Sequence, residues 1–345
     1  MASKRIDYID YMKGLSIIWV VWYHTVHPWF VDFSFRIPLF FLVSGIFFKV
    51  IDIQIFAKKK FNQLVIPFFF FYAVYFVYLM AQFYGKYGSL ETFNFNMFFE
   101  IFHLHKNFES FTVNPPLWFI CALINLQLML YALAKLITNR TIIFILAIFI
   151  SLMGVVYIED MPTPFMFGRS LRYMVYYAFG FLYGKDIIKI IESQSVRCWL
   201  LLALAIVIFS SACVIKSFME LSHYPKIFLE YIETFALIIA LMYLFKYTYK
   251  FVLLRPLKFF GANSYVVLGI HEIYHTLLLL ALTAYFGEMT ISMGIVQTVI
   301  TLLLLYPTIK VFNKYIPHLI GKKEVLSIGP KNVIKNKASV PDRVL

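Results

Sequence analysis

The stretch KGLSIIWVVWYHTVHPW, residues 13–29, opens on a lysine and runs apolar for most of its length, with His24 and His27 set inside it. A helix needs about 20 mainly apolar residues to cross a hydrocarbon layer of about 30 Å, and this stretch fits that length. Lys4, Arg5 and Lys13 resemble the positive flank of a secretory leader. The apolar part is too long and bulky for one, and it lacks a small-residue cleavage site, so it is expected to remain as a first helix.

Similar stretches recur along the 345 residues, 61% of which are hydrophobic, 20% aromatic and only 14% charged. Soluble domains carry about a quarter charged residues. The sequence therefore predicts an all-α, polytopic transmembrane helical bundle of about ten spans, near 14–31, 35–51, 64–83, 116–137, 141–158, 170–184, 198–215, 228–246, 262–285 and 291–312. The net charge of +13 invites a nucleic-acid reading, but its distribution is topological. With the N-terminus inside, all of the 31 Lys and Arg fall on the inner side except Arg36, Lys86, Lys106, Arg169, Arg172, Lys216 and Lys226. That asymmetry predicts both termini cytoplasmic, a plasma or inner membrane setting, and no nucleic-acid partner. Residues 1–320 read as one integral domain, and 321–345 as a mobile, basic cytoplasmic tail. Cys121, Cys198 and Cys213 lie in or beside apolar spans without paired spacing, as buried thiols do rather than disulfide or metal clusters.

Ionisable groups inside a bilayer are costly and mark candidate function. Eleven helical steps turn about 1100° and rise about 16 Å, so Lys13 and His24 share one stripe, with His27 close to it. Lys13 then lies near the cytoplasmic face and His24 past mid-membrane. In GANSYVVLGIHEIYH, residues 261–275, His271 reaches a similar depth with Glu272 and His275 beside it. Two imidazoles and a carboxylate at one level fit proton transfer, because imidazole titrates near neutral pH. The same letters spell H-E-x-x-H, which in a zinc protease places two ligands on one helical face. A third ligand of the usual kind is absent, and no metal is expected. Arg169 and Arg172, in GRSLRYMVYY (168–177), stand against the inside bias, and their guanidinium forks suit carboxylates, phosphates and sugar hydroxyls. Glu230 and Glu233 are candidate partners for them. Lys58, Lys59 and Lys60, in KKKFNQLVIP (58–67), serve either as a topology signal or as a phosphate seat for an anionic cofactor.

Taken in order, these pieces resemble the acyltransferase-3 family of integral membrane O-acyltransferases, especially its fucose 4-O-acetylase-like branch. Lys13 and His24 match the family's basic residue, ten-residue spacer and histidine. PLFFLVSGIFF, around Ser44 and Gly45, is similar to its Phe-rich Ser-Gly motif, and PPLWFICAL (115–123) to its Trp-Phe motif. FFGANSYVVLGIHE (259–272) is similar to its late Gly-x-x-Ser segment and places His271. One departure stands out. The family's Arg-x-x-Arg pair before the third helix falls here on Lys60 and Gln63, which keeps charge but not a bidentate grip.

The resemblance implies transfer of an acyl group, most simply acetyl, from cytoplasmic acetyl-CoA or another acyl-CoA. The acceptor it implies is a sugar hydroxyl of a cell-surface glycan or lipid-linked saccharide. His24 is then the general base or the carrier of the acyl group, with His271 and Glu272 completing the catalytic set. Lys13, Lys59 and Lys60 would attract the donor. Arg169, Arg172, Trp118 and Glu233 would meet the acceptor, with Glu272 or Glu233 orienting an imidazole. Two rivals remain open: a transporter or flippase of lipid-linked saccharides, and an intramembrane zinc protease. A serine protease built on Ser44 is disfavoured, since Leu42 stands where a glycine is required.

Overall fold

The computed structural model of the chain describes residues 6–25, 35–105, 111–158, 161–193, 195–219, 222–287 and 290–328. Its helices are α1 (Asp7–Tyr23), α2 (Arg36–Ile46), α3 (Ile53–Lys60), α4 (Ile66–Tyr87), α5 (Trp118–Leu136), α6 (Arg140–Met153), α7 (Phe167–Leu171), α8 (Met174–Ser193), α9 (Val196–Phe218), α10 (His223–Thr248), α11 (Arg255–Ala262), α12 (Ser264–Phe286) and α13 (Ile291–Tyr315). Each of the ten expected spans overlaps a helix, although 26–31 of the first lies outside the described residues and the sixth, 170–184, is divided between α7 and α8. Among the described residues, seven helical segments are long and apolar enough to cross a membrane: Ile53–Tyr87, Pro115–Leu136, Arg140–Ile158, Val196–Phe218, His223–Thr248, Ser264–Phe286 and Ile291–Tyr315. Leu200, Leu204 and Val207 on α9 and Leu303 on α13 stand more than half exposed. Apolar flanks of that kind are unfavourable in water and natural against lipid. The fold is thus a polytopic helical membrane bundle.

The chain divides into two compact units. One holds α1 as far as Val21, α2 and α8–α11. With little hydrophobic drive between helices in lipid, small residues decide how close two backbones come. A Cβ added to Gly45 of α2 would stand 2.1 Å from the Tyr177 carbonyl oxygen of α8, and one added to Gly180 of α8 would stand 2.0 Å from that of Leu42. The α2–α8 crossing is therefore reciprocal, and the Ser-Gly stretch around Gly45 is first a packing device. Gly14 of α1 and Gly261 of α11 meet the Leu257 and Asp10 carbonyls in the same way, at 1.9 Å each. Lys258 closes that contact on Asp7 at 2.9 Å.

The other unit holds the turn after α1, α3–α7, α12 from Tyr265, and α13. Asp52 caps α3 by accepting from the amides of Gln54 and Ile55. Pro67 has no N–H to offer the Gln63 carbonyl. The helix widens there into a π-turn, Phe61–Val65, before resuming as α4. The Leu64 carbonyl at this turn accepts from Tyr265 Oη at 2.7 Å. Asn62, buried in the same turn, exchanges three hydrogen bonds with the backbone of Val325 and Leu326. The described part of the expected tail, 321–328, is thereby clasped to α3 and α4.

The connection after α4 folds back on that helix, with Tyr72 Oη donating to the carbonyls of Met97 and Phe98. Two short strands pair antiparallel, β1 (Leu104–His105) with β2 (Thr163–Pro164). Buried Glu100 accepts from Thr112 Oγ1 at 2.6 Å and from the Val113 amide, which fixes the approach to α5.

Candidate active site

His24 stands immediately after α1, in a turn closed by the Thr25 amide and hydroxyl on the Trp22 carbonyl. Its Nδ1 lies 3.7 Å from Glu272 Oε2, and its ring centroid lies 5.2 Å from that of His271, edge to face. His271 and Glu272 both come from α12. The expected catalytic trio is therefore one physical cluster, joined from the end of one helix and the middle of another.

The surroundings of His271 fix its tautomer. The ring is fully buried, and Nδ1 faces two carbonyl oxygens, Val267 at 2.9 Å and Leu268 at 3.1 Å. Carbonyls only accept, so Nδ1 carries the proton and Nε2 is left with its lone pair. That Nε2 has no hydrogen-bond partner among the described residues, nor does Glu272 Oε2. Glycine at 269, two residues before His271, lets α12 close on Phe71, whose ring would stand 2.3 Å from an added Cβ.

Asn114 anchors the next part. It adopts a left-handed backbone, φ 59°, a conformation that costs most residues about 1–2 kcal/mol. Its Nδ2 donates to the carbonyls of Phe71 on α4 and Gly269 on α12. The start of α5, with Trp118, is thus tied to the helix that carries His271. Arg169 of α7 lies over the Trp118 ring at 5.5 Å, and Trp118 approaches Tyr173 at 6.0 Å. Phe165 and Met166, at φ 52° and 56°, turn the chain into α7 and aim Arg169. Asn125 Nδ2 secures the bend by donating to the Phe165 carbonyl at 3.0 Å. Arg172 follows directly after α7.

The remaining candidates are held by other contacts. Lys13 belongs to the first unit, 3.9 Å from Asp10. Glu233 belongs there too, buried and paired with Lys216 at 2.7 Å, rather than with Arg169 or Arg172. Lys59 and Lys60 end α3, with Lys60 Nζ over the Phe56 ring at 5.5 Å. His27 and Lys106 lie outside the described residues. Tyr75 and Tyr78 of α4, whose rings approach to 5.5 Å, were not among the sequence candidates. Their i, i+3 spacing was visible but indistinguishable from the other aromatics of that span.

The family model described as an acyltransferase domain, that of the acyltransferase-3 family, matches residues 6–310. The chain belongs to this family. No curated protein and no solved structure matches it. The match makes this acyltransferase-3 protein a membrane acyltransferase, and it covers both sides of the His24–Glu272–His271 cluster. One ligand atom from each of those three residues lies within 4.8 Å of the others. That spacing could also hold a metal ion, which would take the His271 Nε2 lone pair as a ligand.

Proposed function

We infer that this acyltransferase-3 protein moves an acyl group, most simply acetyl, from cytoplasmic acyl-CoA to a sugar hydroxyl. The acceptor in this reading is a cell-surface or lipid-linked glycan on the far side of the membrane, as in the fucose 4-O-acetylase-like branch. The observation that carries the proposal is the His24–Glu272–His271 cluster, with one buried imidazole nitrogen held unprotonated.

The chemistry follows from what those atoms offer. The acceptor hydroxyl gives its proton to His24 as its oxygen forms a bond to the thioester carbonyl carbon. The C–S bond then breaks, and the imidazolium returns the proton to the leaving thiolate, so the base is regenerated. Glu272 orients His24 and offsets the charge that develops on it. His271 Nε2 accepts a hydrogen bond from the His24 imidazolium once that ring has taken the proton, and so steadies it. Lys13, Lys59 and Lys60 draw the polyanionic donor to the cytoplasmic side. Trp118, held under Arg169, offers a face for a sugar ring, and Arg169 and Arg172 offer donors to its oxygens.

The test is transfer of label from radiolabelled acetyl-CoA into membrane glycans by wild type and by His24→Ala at matched expression. General-base catalysis contributes about 10²–10⁴-fold, so the variant is expected to lose label to that extent. Equal labelling by both would remove His24 from the mechanism. Export of a lipid-linked saccharide without any need for acyl-CoA would favour a transporter instead.

A further inference from the structure

The buried polar surface does not end at the trio. One turn beyond His271, His275 is 3% exposed and neither ring nitrogen has a hydrogen-bond partner among the described residues. Its centroid is 5.9 Å from that of His271. Gln297 of α13 reaches across to α12, Nε2 donating to the His275 carbonyl at 2.9 Å. This leaves Gln297 Oε1 buried and without a partner. Thr301, one turn further along α13, is fully buried and its hydroxyl is in the same state.

Each buried polar group left unmatched costs about 1–3 kcal/mol, so native structures rarely keep several side by side. Here His275 adjoins the reacting cluster, and Gln297 is joined to its backbone. A neutral imidazole is one donor and one acceptor, an amide oxygen accepts, and a hydroxyl does both. Those are the complements of hydroxyl groups. They match neither an anion, which would need charge, nor an alkyl chain, which would need apolar walls. A single hydroxyl has one proton and two lone pairs. With its one proton committed to His24, it leaves His275, Gln297 and Thr301 unserved.

We propose that His275, Gln297 and Thr301 form a second hydroxyl subsite, so that the acceptor presents two neighbouring hydroxyls, one reacting at His24 and the other bound at His275. The substrate class is therefore a vicinal diol or polyol, as a sugar ring provides, rather than a simple alcohol. This rests on the acyl-transfer reading of the trio.

The test uses the full-length protein in detergent with radiolabelled acetyl-CoA and two small acceptors, cyclohexanol and cis-1,2-cyclohexanediol. Sites built to hydrogen-bond a hydroxyl discriminate strongly against analogues that lack it. On these small probes wild type is expected to prefer the diol by about tenfold or more in kcat/KM, chiefly through KM. His275→Leu is expected to collapse that ratio toward one, and His275→Asn, which keeps a donor and an acceptor, to restore part of it. Acetylation of both alcohols by wild type without a preference would overturn the subsite and leave the strip to structural water. That comparison needs no variant, so it stands even if His275→Leu fails to fold. Acetylation of neither alcohol would overturn the acyl-transfer reading, and the subsite with it.

Discussion

At the residue scale, what matters is which atom holds which proton. In the proposed chemistry Glu272 has two separable roles toward His24: it orients the ring, and it offsets the charge that develops there. Glu272→Gln keeps the shape and a hydrogen-bonding group but removes the charge. Its expected effect is a fall in kcat on the order of 10²-fold, the lower end of what general-base assistance contributes, with KM for the acyl donor little changed. Steady-state kinetics in detergent would decide, and a change confined to KM would make Glu272 a binding group. The trio's spacing raises a second question at the same scale, since a metal ion would consume the lone pair of His271 Nε2. If His24 is the base and that lone pair only accepts a hydrogen bond, 1,10-phenanthroline leaves the transfer rate within about twofold, because no step of general-base chemistry passes through a metal. Loss of activity with the chelator, restored by zinc, would turn the cluster into a metal centre.

At the element scale, the helix crossings carry the sharpest stability argument. Gly45→Ala would drive a methyl against the Tyr177 carbonyl, and backbone cannot yield as a flexible side chain can. Overpacking of this kind costs about 1–3 kcal/mol. In Gly85, near the end of α4, an added Cβ meets nothing within 4 Å, and Gly→Ala in a helix gains up to about 1 kcal/mol. Thermal unfolding in one detergent is expected to show Gly45→Ala lowered and Gly85→Ala unchanged or raised. Equal effects would refute the crossing. The positions of the helices were legible because apolar length and loop charge are local properties of the sequence. The π-turn was less so: Pro67 announces a disturbed hydrogen bond, but not that Asn62 and Tyr265 would make use of the widened turn. The clasp of Asn62 on Leu326 spans 264 residues and has no local signal. The site was legible in its letters, His24, His271 and Glu272, while the burial of His275 depends on α13. One signal was there: Gln297 is an amide inside an apolar span, of the costly kind that singled out the histidines.

At the scale of the whole molecule, the proposal depends on sidedness, because donor and acceptor must reach the trio from opposite faces of the membrane. The segment Ile53–Tyr87 is long and apolar enough to cross once, so its two ends should face different compartments. One end carries Lys58, Lys59 and Lys60, and the described chain near 321–328 is clasped to that same end through Asn62. The other end leads into Glu91 and an aromatic connection poor in lysine and arginine. On the positive-inside rule the lysine end is expected in the cytoplasm, the side from which the proposed acyl-CoA would come. In a chain whose three cysteines have been replaced, Glu91→Cys is then expected to react with a membrane-impermeant thiol reagent on intact cells. Lys323→Cys is expected to react only after permeabilisation. The reverse pattern would place the lysines on the acceptor side and end the assignment of Lys59 and Lys60 to the donor. It would leave the chemistry of the trio standing, since nothing in the geometry of His24, Glu272 and His271 depends on which face is which.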